Sequence, residues 1–266
     1  MSELLALAER QPDEAVGIFQ ELTNLCQGGK LVSEDLESHV PTILRMWQRL
    51  YNEAKPFQGD PFKVEWTVDD AYQPVRAPLE WLLDMMAFLP GESVGSALRE
   101  NLQLADPLLQ LFAAISILRR LEPINDRDLD PIAANHQTRH KLWTQLRELQ
   151  MESLMPKRWS TPEQLAASEF VNWASHPMEL GVPPEEIELA KTFSAVVEGK
   201  RRDLYLFRFR EFPKPWEPSG GWMAGIAGPY RDGTQLLSPW SSFDDWEAMS
   251  PEQHFAKLFS AINGEG

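Results

Sequence analysis

Arg208 and Arg210, two apart in the run DLYLFRFR, are the residues whose type and spacing most suit binding. In an extended segment alternate side chains share a face, so both guanidiniums would stand together. Such a pair can hold a carboxylate or a phosphate through charge-assisted hydrogen bonds. The plainer alternative is surface ion pairing with local acids such as Glu211 and Glu217. In the stretch that follows, Pro213, Pro215 and Trp216 could form an aromatic–proline recognition surface, with Trp222 beyond it, although a rigid hairpin connection is simpler.

Other constellations offer less. His136 and His140 stand four apart and, on one helix, could face a metal together, but the Glu of H-E-x-x-H and a nearby third ligand are missing. They form the chain's candidate metal pair, and an exposed helix start is the simpler reading; no metal and no cofactor is expected. Asp126, Asp128 and Asp130 alternate without the Gly and terminal Glu of a calcium loop, and helix-terminal acids explain them. Gly225 and Gly228 match neither G-x-G-x-x-G nor a P-loop, so close packing against a bulky neighbour, a Trp, explains Gly225 better. Lys200-Arg201-Arg202 after Gly199 reads as a solvated turn. Asp244, Asp245, Trp246 and Glu247 read as an acidic turn or short helix, able to receive a basic residue but more simply capped, with Trp246 inward.

The overall balance limits partners. The chain of 266 residues carries 25 Lys+Arg against 40 Asp+Glu, a formal charge of −15. Residues 151–266 hold 11 against 17 and residues 1–150 hold 14 against 23, so the acidity is general. Phosphate contacts require clustered cations, which argues against nucleic acid. A partner protein, if basic, would be drawn in by this field. Hydrophobic residues make up 43% of the chain, enough for a real core. One cysteine, Cys26, precludes an internal disulfide and fits a reducing, cytoplasmic setting. The opening MSELLALAERQPDEA is an acidic short helix without the character of a signal peptide, and no apolar run is long enough for a bilayer.

These residues must be positioned by mostly helical elements. Ala15, Ile18, Phe19, Leu22, Leu25 and Cys26 fall on one helical face, which makes Cys26 a core thiol, and Gly28-Gly29 stops the helix. Val40, Ile43, Leu44, Trp47, Leu50 and Tyr51 form a second stripe behind Pro41. Residues 55–73 read as an irregular loop or a short strand. From Pro74 an internal echo begins: Leu79, Leu82, Leu83, Met86 and Leu89 return 29 residues later as Leu108, Leu111, Phe112, Ile115 and Leu118, with Pro78 and Pro107 opening each segment. A shift of 31 carries the pattern on to Leu142, Trp143, Leu146 and Leu149, and Leu98 and Leu102 onto Leu129 and Ala133. Helix pairs repeating at about 30 residues stack, because one pair cannot bury its own apolar face.

Ala105 to Leu121, ADPLLQLFAAISILRRL, resembles the second helix of a short HEAT-like repeat. Asp106-Pro107 match the helix-opening Asp-Pro, and Leu109, Ala113, Ala114 and Leu118 match the apolar positions, while Gln110 stands at the usual Arg. The resemblance covers residues 74–150 and implies a binding scaffold.

Beyond Met155, Thr161-Pro162-Glu163-Gln164 and Ser250-Pro251-Glu252-Gln253 are capping boxes, the second opening a helix with Phe255, Leu258, Phe259 and Ile262 on one face. PPEEIELAKTF predicts another helix from Pro184. Asp203 to Tyr230 predicts an antiparallel hairpin, with Tyr205, Phe207 and Phe209 buried beneath the helix of Phe255 and Phe259. The expected fold is therefore mainly α: a HEAT-like helical repeat (α-solenoid) domain over 1–155, then an aromatic-rich α+β module over 156–266. The expected function is a non-catalytic interaction or scaffold protein, binding in a groove between the two parts rimmed by Arg208, Arg210, Trp216 and Trp222. The alternative is an enzyme of unrecognised family with a cleft at the domain junction.

Overall fold

The computed structural model describes residues 1–63, 65–197, 199–211, 221–228, 230–231, 235–236 and 242–262. The protein is mostly helical, with a four-stranded antiparallel sheet towards its C-terminal end. It divides into two compact units, residues 1–138 with 144–154, and residues 139–143 with 155–266. Among the described residues, no helix is long and apolar enough to cross a membrane.

The first unit begins with helices α1 (Ser2–Arg10), α2 (Pro12–Gln27), the short α3 (Ser33–Leu36) and α4 (Val40–Ala54). The stripe of α2 is buried as its spacing requires, and burial raises the pKa of the Cys26 thiol, which leaves it an unreactive core residue. Gly29 adopts φ +66, a conformation that lets Leu31 N–H reach back to Leu25 O at 3.2 Å and closes the helix. In α4, Ile43, Met46, Trp47, Leu50, Tyr51 and Ala54 form the buried face. Residues 55–73 contain two 3-10 turns, Lys55–Phe57 and Glu65–Val68, and among the described residues no strand.

Then come α5 (Gln73–Met86), α6 (Glu92–Asn101), α7 (Pro107–Arg119), α8 (Asp126–Ala134) and α9 (Arg139–Glu148), the last spanning the division between units. In the first unit α5 packs on α2 and α7, and α7 on α6 and α8. The two prolines of the echo are not equivalent. Pro107 opens α7, but α5 already starts at Gln73, so Pro78 sits inside it and leaves the Pro74 carbonyl without its helical donor. Polar contacts tie the echoing helices: Ser116 Oγ donates to Leu83 O at 2.8 Å, and Arg119 pairs with Asp84 while donating to Gln145 Oε1 at 2.8 Å. Burial raises the pKa of Asp84 although Arg119 opposes the shift.

Asp106, fully buried, caps α7 by accepting from Leu108 N at 2.8 Å and Leu109 N at 3.3 Å. It also accepts from Tyr72 Oη at 3.0 Å and Arg76 Nε at 2.7 Å, and Gln58 Oε1 accepts from the Ala105 and Asp106 amides. This network anchors the irregular 55–73 stretch. Gln110 donates from Nε2 to Leu102 O and Leu104 O at 3.3 and 2.6 Å, satisfying carbonyls at the end of the preceding helix.

The second unit carries α10 (Pro162–Ala174), β1 (Glu186–Val197), β2 (Lys200–Arg210), β3 (Trp222–Ala227), a small pair β4 (Tyr230–Arg231) and β5 (Gln235–Leu236), β6 (Ser242–Asp245) and α11 (Pro251–Ile262). Both capping residues act as expected. Gln164 N donates to Thr161 Oγ1, and at Ser250 the exchange is reciprocal, with Ser250 N on Gln253 Oε1 at 2.9 Å. The sheet order is β1-β2-β3-β6, antiparallel throughout.

Two expectations are corrected here. The stretch from Pro184 is the strand β1, paired with β2 from Glu186↔Arg210 to Val197↔Lys200. Its Glu, Leu, Ala and Lys are good helix formers, but the preference is small per residue and pairing to a neighbouring strand overrides it. The aromatic face of β2 lies under α10 rather than α11. Tyr205, Phe207 and Phe209 pack with Ala166, Phe170 and Ala174, while Leu204, Leu206, Ala224 and Ile226 meet Leu258, Phe255 and Phe259. The cause is at Gly225, where a Cβ would lie 2.6 Å from Cε2 of Phe170 and nearer still to its Cζ. Only a residue without a side chain leaves room for that ring, so the bulky neighbour is a Phe, not a Trp.

Candidate interaction site

Arg208 and Arg210 leave β2 on the α11 face, beyond the rows that α11 covers. Cross-strand register sets Glu188 opposite Arg208 and Glu186 opposite Arg210 on β1, and Ala224 and Trp222 opposite them on β3. Arg208 Nη1 pairs with Glu188 Oε1 at 3.3 Å; Arg210 pairs with Glu186 and, through Nε, with Glu185 Oε2 at 3.0 Å. The arginines are thus paired with acids of β1 and with Glu185 just before it, not held open for an anion.

Aromatic rings complete the arrangement. The Arg208 guanidinium lies 3.9 Å from the Trp222 ring centroid and 5.6 Å from that of Trp246. Trp246 stacks on His254 of α11 at 4.4 Å, and Arg210 stands 5.8 Å from Trp222. Trp222, Arg208, Trp246 and His254 therefore form one chain of contacts, with the cation within reach of both indole rings. His254 is buried, with Nε2 3.2 Å from Glu247 O. Alongside, Lys257 of α11 pairs with Asp244 at 2.6 Å and Glu247 at 3.0 Å. Those bonds raise the lysine's pKa, and the Lys257 hydrogen bond, foremost, lowers that of Asp244. Asp244 belongs to strand β6, so the acidic turn or short helix expected there is in part a strand, and Trp246 is half-buried beside it.

Three cations are therefore met by five carboxylates, with Glu186 and Glu188 side chains 53% and 59% exposed. The surface has spare acceptor capacity and two indole rings beside it. Its chemistry suits a guanidinium or ammonium group better than a phosphate. Trp216, with Pro213 and Pro215, lies outside the described residues. The remaining sequence candidates disperse. His136 falls in the turn before α9, which starts at Arg139, so it does not share a helix face with His140. His140 Nδ1 contacts Glu169 Oε2 at 2.6 Å, and its backbone N–H donates to Ser168 Oγ at 2.9 Å. Among the described residues no cluster of three or more His, Cys, Asp or Glu could hold a metal. Asp126 and Asp128 occupy the first turn of α8. Lys200 pairs with Val197 where β1 turns into β2, at Gly199 with φ +74.

The sequence reading missed Trp246 as a stacking partner, and Glu186 and Glu188 of β1 with Glu185 just before it. The period-two run Glu186-Ile187-Glu188-Leu189 was the available signal for both strand and partners.

The first unit also has a surface groove of about 500 Å³ lined by Leu118, Leu121, Pro123, Ile124, Met151 and Leu154. Its one carboxylate, Glu122, is engaged: burial would raise its pKa, but hydrogen bonds from Arg120 and Arg99 outweigh that and lower it. The groove offers apolar contact rather than acid–base chemistry.

Fold and site together define a helical chain with a C-terminal sheet unit whose candidate site is an open, acid-rich aromatic surface. Comparisons with protein-family models, with curated proteins and with solved structures gave no significant match.

Proposed function

We propose that the protein is a non-catalytic interaction protein that binds a basic segment of a partner protein at the open end of its sheet. The observation that carries this reading is the five-to-three excess of carboxylates over cations around the Trp222–Arg208–Trp246 stack. An incoming arginine or lysine finds exposed glutamate oxygens and an indole face, while an anion would have to displace bound carboxylates. The formal charge of −15 adds long-range attraction. In this proposal the helical unit is a scaffold of HEAT-like build, a reading supported by the alternation of α5 to α9, the packing of α5 on α7, and the Asp106 cap.

Calorimetric titration with an oligo-arginine peptide tests it, with oligo-glutamate as control. Binding of oligo-arginine should weaken as salt rises from about 50 to about 300 mM, as screening shortens the reach of the field. The double substitution Glu186→Gln with Glu188→Gln should weaken it and, by freeing Arg208 while Arg210 keeps Glu185, raise the affinity for oligo-glutamate. Equal binding of both peptides, or an unchanged double variant, would refute the proposal.

A further inference from the structure

We infer that the chain associates head to tail, the cationic tip of its β1–β2 hairpin docking on the acid-rich surface of a second copy. The inference rests on the cation-binding role proposed for that surface and names its partner. Lys200, Arg201 and Arg202 are the one run of three successive Lys or Arg in the sequence. They open β2 just past the turn at Gly199, opposite Val197, Val196 and Ala195 of β1. Lys200 and Arg201 are exposed, and among the described residues none of the three cations pairs with a carboxylate. Strand β3 accompanies β2 only as far as Tyr205, so the tip extends beyond it. Val196, 72% exposed, adds an apolar contact that an indole ring can cover.

The two surfaces are complementary in charge. Residues 196–203 hold three cations and two acids, Glu198 and Asp203, and Asp203 already accepts from Ser194 Oγ at 2.6 Å. The tip is thus net positive, whereas the surface beside Trp222 and Trp246 sets five carboxylates against three cations. Glu186 and Glu188, the most exposed of the five, are where incoming cations would land.

No chain can satisfy its own surface. Tip and acids lie at opposite ends of one hairpin, Glu186 facing Arg210 at one end and Val197 facing Lys200 at the other. The strand from Glu188 to Val197, at about 3.3 Å per residue, sets them roughly 30 Å apart. The contact is therefore made between copies, and it is heterologous. Each copy that offers its tip keeps a free acidic surface, so growth continues past a pair. Two chains of formal charge −15 repel at long range, so the association should be weak. Salt screens attraction and repulsion alike, which places the test on substitutions.

Sedimentation equilibrium of the full chain between about 10 and about 300 µM should show the mean mass rising from one chain, with no plateau at two. Two variants should each associate at least about tenfold more weakly: Lys200→Gln with Arg201→Gln and Arg202→Gln at the tip, and Glu186→Gln with Glu188→Gln at the surface. Mixed in equal amounts they should form pairs and no longer chains, because one supplies an intact surface and the other an intact tip. Pairing on mixing also shows that both variants fold, and the tip variant should still bind oligo-arginine. A single-chain mass for the unsubstituted chain at every concentration would overturn the inference. So would a tip variant that associates unchanged, or a mixture no more associated than its parts. Oligo-arginine bound by a chain that never self-associates would sink this inference alone; absence of both would sink the cation-binding role with it.

Discussion

Replacing Gly225 by alanine puts one methyl group where the Phe170 ring already lies. The new Cβ would stand 2.6 Å from Cε2 and 3.1 Å from Cε1, well inside the contact distance of two carbons. The ring cannot swing aside freely: it is fully buried, with Trp173, Phe207 and Phe209 centroids at 5.6, 5.9 and 5.1 Å. Overpacking of this kind costs about 1–3 kcal/mol. The alanine also restricts the unfolded chain and is better tolerated in a strand, which offsets roughly 0.5–1 kcal/mol. A net loss of about 1–2 kcal/mol is expected. Ten tryptophans spread over the chain make bulk fluorescence a poor reporter, so amide hydrogen exchange of β2 and β3 is the suitable assay. Phe170→Leu should itself destabilise by opening a void, but in the Gly225→Ala background much of that loss should vanish, since methyl and smaller side chain fit together. Additive single and double effects, or Gly225→Ala within about 0.5 kcal/mol of the unsubstituted chain, would refute the account of the α10 packing.

Two further outcomes follow from backbone and charge. Gln150 holds φ +58 at the end of α9, where Met151 N–H reaches Leu146 O at 2.7 Å, so Gln150→Gly should stabilise the first unit by about 1 kcal/mol in urea unfolding. The carboxyl of Glu252 is held down to about 2, first by the hydrogen bond from Lys191 and then by backbone and Ser250 bonds. A depressed acid stabilises fully above its unfolded pKa and loses that contribution as pH falls through the folded value. The melting-temperature gap between the unsubstituted chain and Glu252→Gln should therefore be full above about pH 5 and close on descent towards pH 2.

Legibility in the sequence followed the physics of each element. Helices with one apolar face announced themselves: the stripes of α2 and α4, the stop at Gly29, and the caps at Thr161 and Ser250 all depend on interactions within a few residues. The depth of Pro78 in α5 was hidden, since a proline usually marks a helix start and only the packing of α5 on α2 and α7 compensates for an interior one. The face on which Tyr205, Phe207 and Phe209 are buried was equally hidden. Alternation reveals that a strand has two faces but not which helix covers each, and here the choice rests on a glycine in β3 meeting a phenylalanine in α10. Arg208 and Arg210 were visible as a pair, whereas their partners were not, because cross-strand neighbours lie 20 to 25 residues away.

The reading of Pro184 to Phe193 as a helix had consequences beyond one element. As a helix, Glu185, Glu186 and Glu188 would be scattered around a cylinder and the two arginines would stand open to an anion. As strand β1, Glu186 and Glu188 fall on one face, in register with Arg210 and Arg208, and the same surface turns from anion-seeking to cation-seeking. The strand also gives the sheet an edge, which a helix there would have covered or removed. The functional reading thus depends on one short segment whose register decides it. Ala190→Pro, placed at the bulge, tests this: proline there removes a donor but tolerates the irregular backbone, so pairing of Thr192 to Val197 should persist while the Glu186–Arg210 end loosens, both read by amide hydrogen exchange. Oligo-arginine binding should then fall. Binding unchanged with that end loosened would mean that the register of β1 does not build the acidic surface.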